Sequence, residues 1–235
     1  MRSGSYGSGP APVRRPGATR PDRTPAAAWH RPKAMLDARL RRLIDPPLDR
    51  LCAPLARYGL SADLATAVGF AAGLAAIAAI AAKAYGLGLG LLLLNRLLDG
   101  LDGALARRQG ITDLGGFLDI VCDFIVYAGV PFAFALADPS ANAVAAAFLI
   151  FSFIGTASSF LAYAIMAAKR GITTDLRGRK SLYYLGGLTE GSETILAFVL
   201  ACLWPAWFPL IAWLFGALCW LTTATRVAAA WQTLR

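Results

Sequence analysis

Residues Asn95 to Asp123 read NRLLDGLDGALARRQGITDLGGFLDIVCD, and the reading of this stretch decides the fold. It places four aspartates, Asp99, Asp102, Asp119 and Asp123, in the most apolar part of the chain. A carboxylate at membrane depth costs several kcal/mol unless something answers its charge, so such residues mark sites of function. Positions three or four apart share one face of a helix, which puts Asp99, Asp102, Gly103 and Ala106 on one stripe and Gly115, Asp119 and Asp123 on another. The segment Arg108 to Asp113 between them is polar, contains Gly110, and is short enough to make the two helices antiparallel neighbours. At ~1.5 Å per residue, Asp102 and Asp119 lie at a similar depth from that turn, roughly 8 to 10 Å, with Asp99 and Asp123 about one turn deeper. The four carboxylates are therefore expected to converge in one pocket open to the side of the turn.

The rest of the chain supports a membrane setting. Of its 235 residues 57% are hydrophobic, and the mean hydropathy is +0.54. That leaves too little polar surface to cover a water-soluble interior. Apolar stretches run from Leu64 to Ala82, Leu87 to Ala106, Leu114 to Ala137, Ala141 to Ala168, Leu188 to Leu203 and Trp207 to Ala230, each near the ~20 residues of a spanning helix. The expected fold is all-α: a polytopic membrane protein of six transmembrane helices over residues 59–235. Residues 33–58 should form a juxtamembrane amphipathic helix. Its Met35, Leu36, Leu40, Leu43, Ile44, Leu48 and Leu51 recur at helical spacing, with arginines between them and a break at Pro46-Pro47.

Residues 1–32 are rich in Pro, Gly, Ser and Arg and lack an apolar core, the composition of a disordered basic tail without a secretory signal. An even number of spans puts both termini on one side, together with Arg107, Arg108, the Lys169 to Lys180 loop and Arg226. The positive-inside rule makes that side cytoplasmic, in a cell (inner) membrane. The formal charge of +9 then reflects topology and attraction to anionic membrane lipids. Nucleic acid is not expected, because no aromatic residues are interleaved with the basic ones in a binding module. The four cysteines form no CxxC pair, which argues against a disulfide framework or a zinc site.

Four carboxylates that close repel one another, and either protonation or bound divalent cations must offset the repulsion. A ligand set made only of oxygens favours Mg2+, Mn2+ or Ca2+ over zinc or copper. Cys122 should point about 100° away from Asp123 on the helix. Gly103 and Ala106 leave room for a bulky ligand to approach the backbone, and Arg107 at the helix mouth can hold a phosphate. Arg96, three residues before Asp99, is expected to form an ion pair with it. In the following loop Arg177, Arg179 and Lys180 can bind the phosphate of an acceptor or a lipid headgroup. Glu190 and Glu193 open the fifth span, where the helix dipole favours them and where they can face an acceptor pocket. Trp204-Pro205-Ala206-Trp207 reads as an aromatic belt at the outer interface. The rival to an enzyme is a divalent-cation transporter, but the carboxylates lie toward one side and the outer halves of the spans are almost wholly apolar.

The run Asp99-x2-Asp102-Gly103-x2-Ala106-Arg107 followed by Gly115-x3-Asp119-x3-Asp123 resembles the signature of the CDP-alcohol phosphotransferases, also called CDP-alcohol phosphatidyltransferases. Seven residues separate Arg107 from Gly115, one fewer than is usual in that family. The missing residue falls in the turn, so register within each stripe survives.

The resemblance implies that Asp99, Asp102 and Asp119 bind two divalent ions, Mg2+ or Mn2+. Asp123 is implied to belong to the metal site as well, close to an ion, and to act as general base. Thr66, Asp102, Gly103, Ala106, Arg107 and Gly115 are implied to line the nucleotide pocket. The implied partners are a CDP-linked lipid donor such as CDP-diacylglycerol and an alcohol acceptor, with CMP released in phospholipid synthesis. A homodimer is implied as well, in keeping with small-residue faces in the third and fourth spans. Ser61 or Asp63 should cap the first span.

Overall fold

The computed structural model describes Cys52, residues 60–170 and residues 189–235. The expected tail over 1–32, the amphipathic helix over 33–58 apart from Cys52, and Arg177, Arg179 and Lys180 lie outside the described residues. Within the described residues every regular element is helical. In chain order these are α1 (Ala62–Ala81), α2 (Tyr85–Gln109), α3 (Asp113–Ala137), α4 (Pro139–Lys169), α5 (Gly191–Leu203), a 3-10 turn (Pro205–Trp207) and α6 (Phe208–Leu234).

Local chemistry sets most of these boundaries. Ser61 caps α1, its Oγ accepting the Leu64 N–H at 3.1 Å, which is the capping expected from the sequence. Gly110 ends α2 at φ 112°, a conformation that side chains with a Cβ rarely adopt. Thr112 then starts α3 by accepting the Gly115 N–H at 3.0 Å. Asp138 caps α4, accepting from the Ser140 hydroxyl at 2.7 Å and the Ala141 N–H at 3.1 Å, with Pro139 in the first turn. Those two bonds, the Ser140 one foremost, hold the Asp138 carboxyl below the usual carboxylate range. The cap is thus charged at neutral pH and is lost only in acid.

Four segments are long and apolar enough to cross a membrane: α1, α3, α4, and the 3-10 turn with α6. Helix α2 has 25 residues but carries Arg96, Asp99, Asp102, Arg107 and Arg108, and α5 has only 13. The protein is a multi-pass membrane protein. Along its described helices many large outward residues are apolar, among them Leu87, Phe117, Val144 and Ile165, a surface suited to lipid.

Helix α1 packs on α2 and α3, α4 packs on α3 and α6, and α5 bridges α2 and α6. Small residues allow the close approaches. A Cβ on Gly73 of α1 would stand 2.6 Å from Val126 Cγ2 on α3 and 3.2 Å from Asn95 Nδ2 on α2, so this glycine sets the separation of three helices. At the end remote from the Gly110 turn, Phe134 stacks between Tyr85 and Phe208, with ring centroids 5.7 and 4.3 Å apart. Phe134 and Phe208 are buried, and the stack closes that end of the bundle.

Replacing Gly73 by valine should force α1 off Val126 and Asn95 and cost about 1–3 kcal/mol, as overpacking of a filled core does. Thermal unfolding of detergent-solubilised protein should show a lower Tm for Gly73→Val, and an unchanged Tm would contradict this packing.

Candidate active site

The site lies where three helices meet near the Gly110 turn. Two reciprocal bonds lock the end of α2 to the start of α1: Gln109 Nε2 donates to the Leu60 carbonyl at 2.7 Å, and the Ala62 N–H donates to Gln109 Oε1 at 3.1 Å. This clamp brings Thr66, one turn into α1, against the carboxylate stripe of α2. The Thr66 hydroxyl donates to Asp102 Oδ2 at 2.6 Å, which fixes the orientation of a buried carboxylate.

Asp99 and Asp102 of α2 meet Asp119 of α3, and each offers an oxygen within 4.8 Å of the others. A hard divalent cation is the natural occupant of a cluster made only of carboxylate oxygens, and these three fit one. Asp123 lines the same narrow cleft, as do Thr66, Asn95 and Arg96. It stands outside the trio, however. Its Oδ1 accepts from Arg96 NH2 at 2.6 Å, whereas Arg96 NH1 is 3.7 Å from Asp99 Oδ2. The expected pairing of Arg96 with Asp99 is therefore the looser of two contacts. The i,i+3 spacing identifies a neighbour on the same helix but says nothing of a carboxylate offered from α3.

Arg96 is also held from behind. Its Nε donates to Asn95 Oδ1 at 2.9 Å and its NH1 to the Tyr127 hydroxyl at 3.1 Å, with the Tyr127 ring centroid 5.2 Å from the guanidinium carbon. Asn95 is buried and donates to the Gly69 carbonyl of α1 at 2.8 Å. A polar chain thus runs from the backbone of α1 through Asn95 and Arg96 to Asp123.

Other expected residues are placed as follows. Gly103 and Arg107 lie toward the end of α2 beyond the trio, and a Cβ on Gly103 would have only Arg107 NH1 near it, at 3.7 Å. The space beside Gly103 is open, as a bulky ligand would require. Ala106 is partly buried and Arg107 exposed. Gly115 sits beneath Thr112 Oγ1 and Asp63 Oδ1, 3.0 and 3.5 Å from where its Cβ would be. None of Gly103, Ala106, Arg107 and Gly115 lines the trio's cleft.

Cys122 lines it too but is not among the clustered ligand groups, in keeping with a position about 100° round the helix from Asp123. A cleft enclosed by three helices spans a wider arc of α3 than the carboxylate stripe alone. Glu190 is buried at the start of α5 beside Thr189, whose N–H and hydroxyl meet Thr222 Oγ1 of α6 at 3.1 and 2.9 Å. Glu193 accepts the Glu190 N–H at 3.0 Å. A Cβ on Gly191 would be 3.5 Å from the Tyr127 hydroxyl, so the start of α5 abuts the Arg96 network.

Two polar residues carry roles that the linear pattern does not disclose. Tyr127 reaches Arg96 across helices. Arg226 of α6 is buried and donates to the Thr156 carbonyl of α4 at 3.0 Å. Its position in an apolar span was the available signal.

Fold and site together define an integral membrane protein with a carboxylate cleft between its helices. The family model described as CDP-alcohol phosphatidyltransferase matches residues 60–228, and the chain belongs to that family. It is similar to the inner membrane protein YnjF of Escherichia coli (strain K12), 56% identical over 201 residues that cover 86% of this chain and 98% of that protein. The archaetidylinositol phosphate synthase of Pyrococcus horikoshii is 29% identical over 198 residues, 84% of this chain and 97% of its own. The fold is shared with Mycobacterium tuberculosis phosphatidylinositol phosphate synthase (PgsA1), solved with CDP-DAG bound. The TM-score is 0.63, with 23% identity, over 78% of this chain and 93% of that one.

Titration of the purified protein with Mn2+, followed by the loss of the free-ion electron paramagnetic resonance signal, should detect binding at the trio. Asp102→Asn and Asp119→Asn should each weaken it by at least about tenfold, the loss that even an outer partner of a metal ligand can cause. Unchanged binding in both variants would remove the trio as the metal site.

Proposed function

We propose that the protein transfers a phosphatidyl, or similarly substituted phosphate, group from a CDP-linked lipid such as CDP-diacylglycerol to the hydroxyl of an alcohol, releasing CMP. The observation that carries this reading is the meeting of Thr66, Asp99, Asp102, Asp119 and Asp123 in one cleft of a chain that belongs to this family.

Asp99, Asp102 and Asp119 would hold Mg2+ or Mn2+, as two ions, whose charge when bound polarises phosphoryl oxygens and offsets the charge growing on the leaving phosphate. Thr66 keeps the Asp102 carboxylate turned toward its partners. Asp123 takes the proton of the acceptor hydroxyl as that oxygen bonds to the lipid-bearing phosphorus and the bond to CMP breaks. Arg107, with Gly103, Ala106 and Gly115 around the mouth, receives the nucleotide and its phosphates. Glu190 and the basic Arg177, Arg179 and Lys180 serve the acceptor. The names of the archaeal and mycobacterial relatives make inositol phosphate the first acceptor to try.

The assembly proposed is a homodimer of six-span chains in the inner membrane, with both termini and the cleft on the cytoplasmic side, preceded by an amphipathic helix and a basic tail. Apolar rings, Tyr85, Phe134 and Phe208, stack at the end of the bundle remote from the carboxylates, where a cation path would call for polar groups. That stack favours the enzyme.

Incubating the purified protein with CDP-diacylglycerol, Mg2+ or Mn2+ and a panel of alcohols should release CMP with at least one acceptor. Asp123→Asn should lower that release by roughly 10²–10⁴-fold, the usual contribution of a general base. Absence of release with every acceptor, or full release from Asp123→Asn, would refute the mechanism.

A further inference from the structure

We propose that Gln109 is a positioning residue for the cation site: its side-chain amide, from outside the cleft, sets the first turns of α1 against α2 and so holds the Thr66 hydroxyl on Asp102. The inference rests on the carboxylate trio as the place where the cation binds.

Helix α1 runs alongside α2 and is pinned to it at two levels. At one, buried Asn95 of α2 donates to the Gly69 carbonyl of α1 at 2.8 Å. At the other, Gln109 Nε2 donates to the Leu60 carbonyl at 2.7 Å and Gln109 Oε1 accepts the Ala62 N–H at 3.1 Å. The contact that serves the trio, Thr66 on Asp102 Oδ2 at 2.6 Å, lies between these two levels. Small residues make the packing between them close. A Cβ on Gly69 would stand 3.2 Å from Leu98 Cβ, and Ala65 and Ala104 are buried with Leu101 and Leu105.

Hydrogen bonds also connect Gln109 to Thr66 directly through one residue. The Ala62 N–H belongs to the first turn of α1, where the helix itself offers it no acceptor. Gln109 supplies that acceptor, and the carbonyl of the same Ala62 accepts the Thr66 hydroxyl at 3.1 Å. The Thr66 proton is thus shared between Ala62 O on its own helix and Asp102 Oδ2 on α2, so a shift of the first turn of α1 changes how it is divided. Gln109 does not line the cleft. It stands seven residues from Asp102, roughly 10 Å along the helix. Removing its amide changes no charge, so an effect on a cation at the trio passes through the placement of the helices and not through Coulomb attraction.

The test uses the full-length protein in detergent, with Mn2+ alone as the probe. Gln109→Met keeps the length of the side chain and removes both bonds. It should weaken Mn2+ binding about three- to fivefold, less than the tenfold or more expected of Thr66→Val, which removes the hydroxyl next to the ligand itself. In the Thr66→Val background, Gln109→Met should cause no further loss, because the contact it positions is already gone. A clamp with a structural role alone would lower Tm and leave Mn2+ affinity where it was. Gln109→Ala, with the residue that best favours a helix, gives the same reading if Gln109→Met does not fold.

Wild-type Mn2+ affinity in the Gln109 variant, or a loss that adds in full to that of Thr66→Val, would overturn the inference. If the wild type binds no Mn2+, the trio fails as a cation site, and the same pair of substitutions measured by Tm without metal decides the role of Gln109. Losses of stability that fall short of additive then support its hold on Thr66, and additive losses overturn it.

Discussion

Carboxylates placed inside an apolar helical bundle must have their charge answered within it, because the membrane interior does not answer it. The bond between Arg96 of α2 and Asp123 of α3 provides one such answer, and much of the surrounding structure serves to hold it. Asn95 orients Arg96 and hangs on the backbone of α1. Gly73 lets α1 come close enough for Asn95 to reach. Tyr127 supplies both a hydroxyl and a ring to the guanidinium. Three helices are thus joined by one polar chain whose last member is a carboxylate of the cleft.

This arrangement gives the aspartates unequal circumstances although they are chemically identical. Asp99, Asp102 and Asp119 crowd one another and suit a divalent cation. Asp123 is steadied by an arginine as well. Environment sorting identical groups into different tasks is common in active sites, since neighbouring charges and hydrogen bonds decide what each carboxylate can do. The two ends of the bundle are divided in a similar way. Polar clamps such as Gln109 on Leu60 and Ala62 gather near the Gly110 turn, while stacked aromatic rings close the opposite end.

Much of this was legible in the sequence. Hydropathy and length outline the helices, because spanning segments are written as long apolar runs. Ser61 identifies a helix start because its short side-chain oxygen can accept from the backbone N–H groups just ahead of it. The i,i+3 and i,i+4 spacings group the aspartates into two stripes, since 3.6 residues per turn leave no other choice. Arg96 was the place where this logic was incomplete. It was read from its own helix alone, and its surroundings are set by a neighbouring helix.

By itself, then, the sequence determined that the chain is helical and membrane-embedded, that a short turn joins α2 to α3, and that their aspartates gather in the family pattern; the expected direct packing of α2 on α3 is replaced by α1, which packs on both. Periodicity, hydropathy and a short glycine-bearing turn are local properties, so they can be read along the chain. Only the tertiary structure decided that Thr66 orients Asp102, that Tyr127 and Asn95 lock Arg96, and that Arg96 turns to Asp123 in preference to Asp99. Those contacts join residues 26 to 36 positions apart or depend on a partner that is. The rotation and separation of packed helices set such contacts, and no spacing rule within a single helix encodes them.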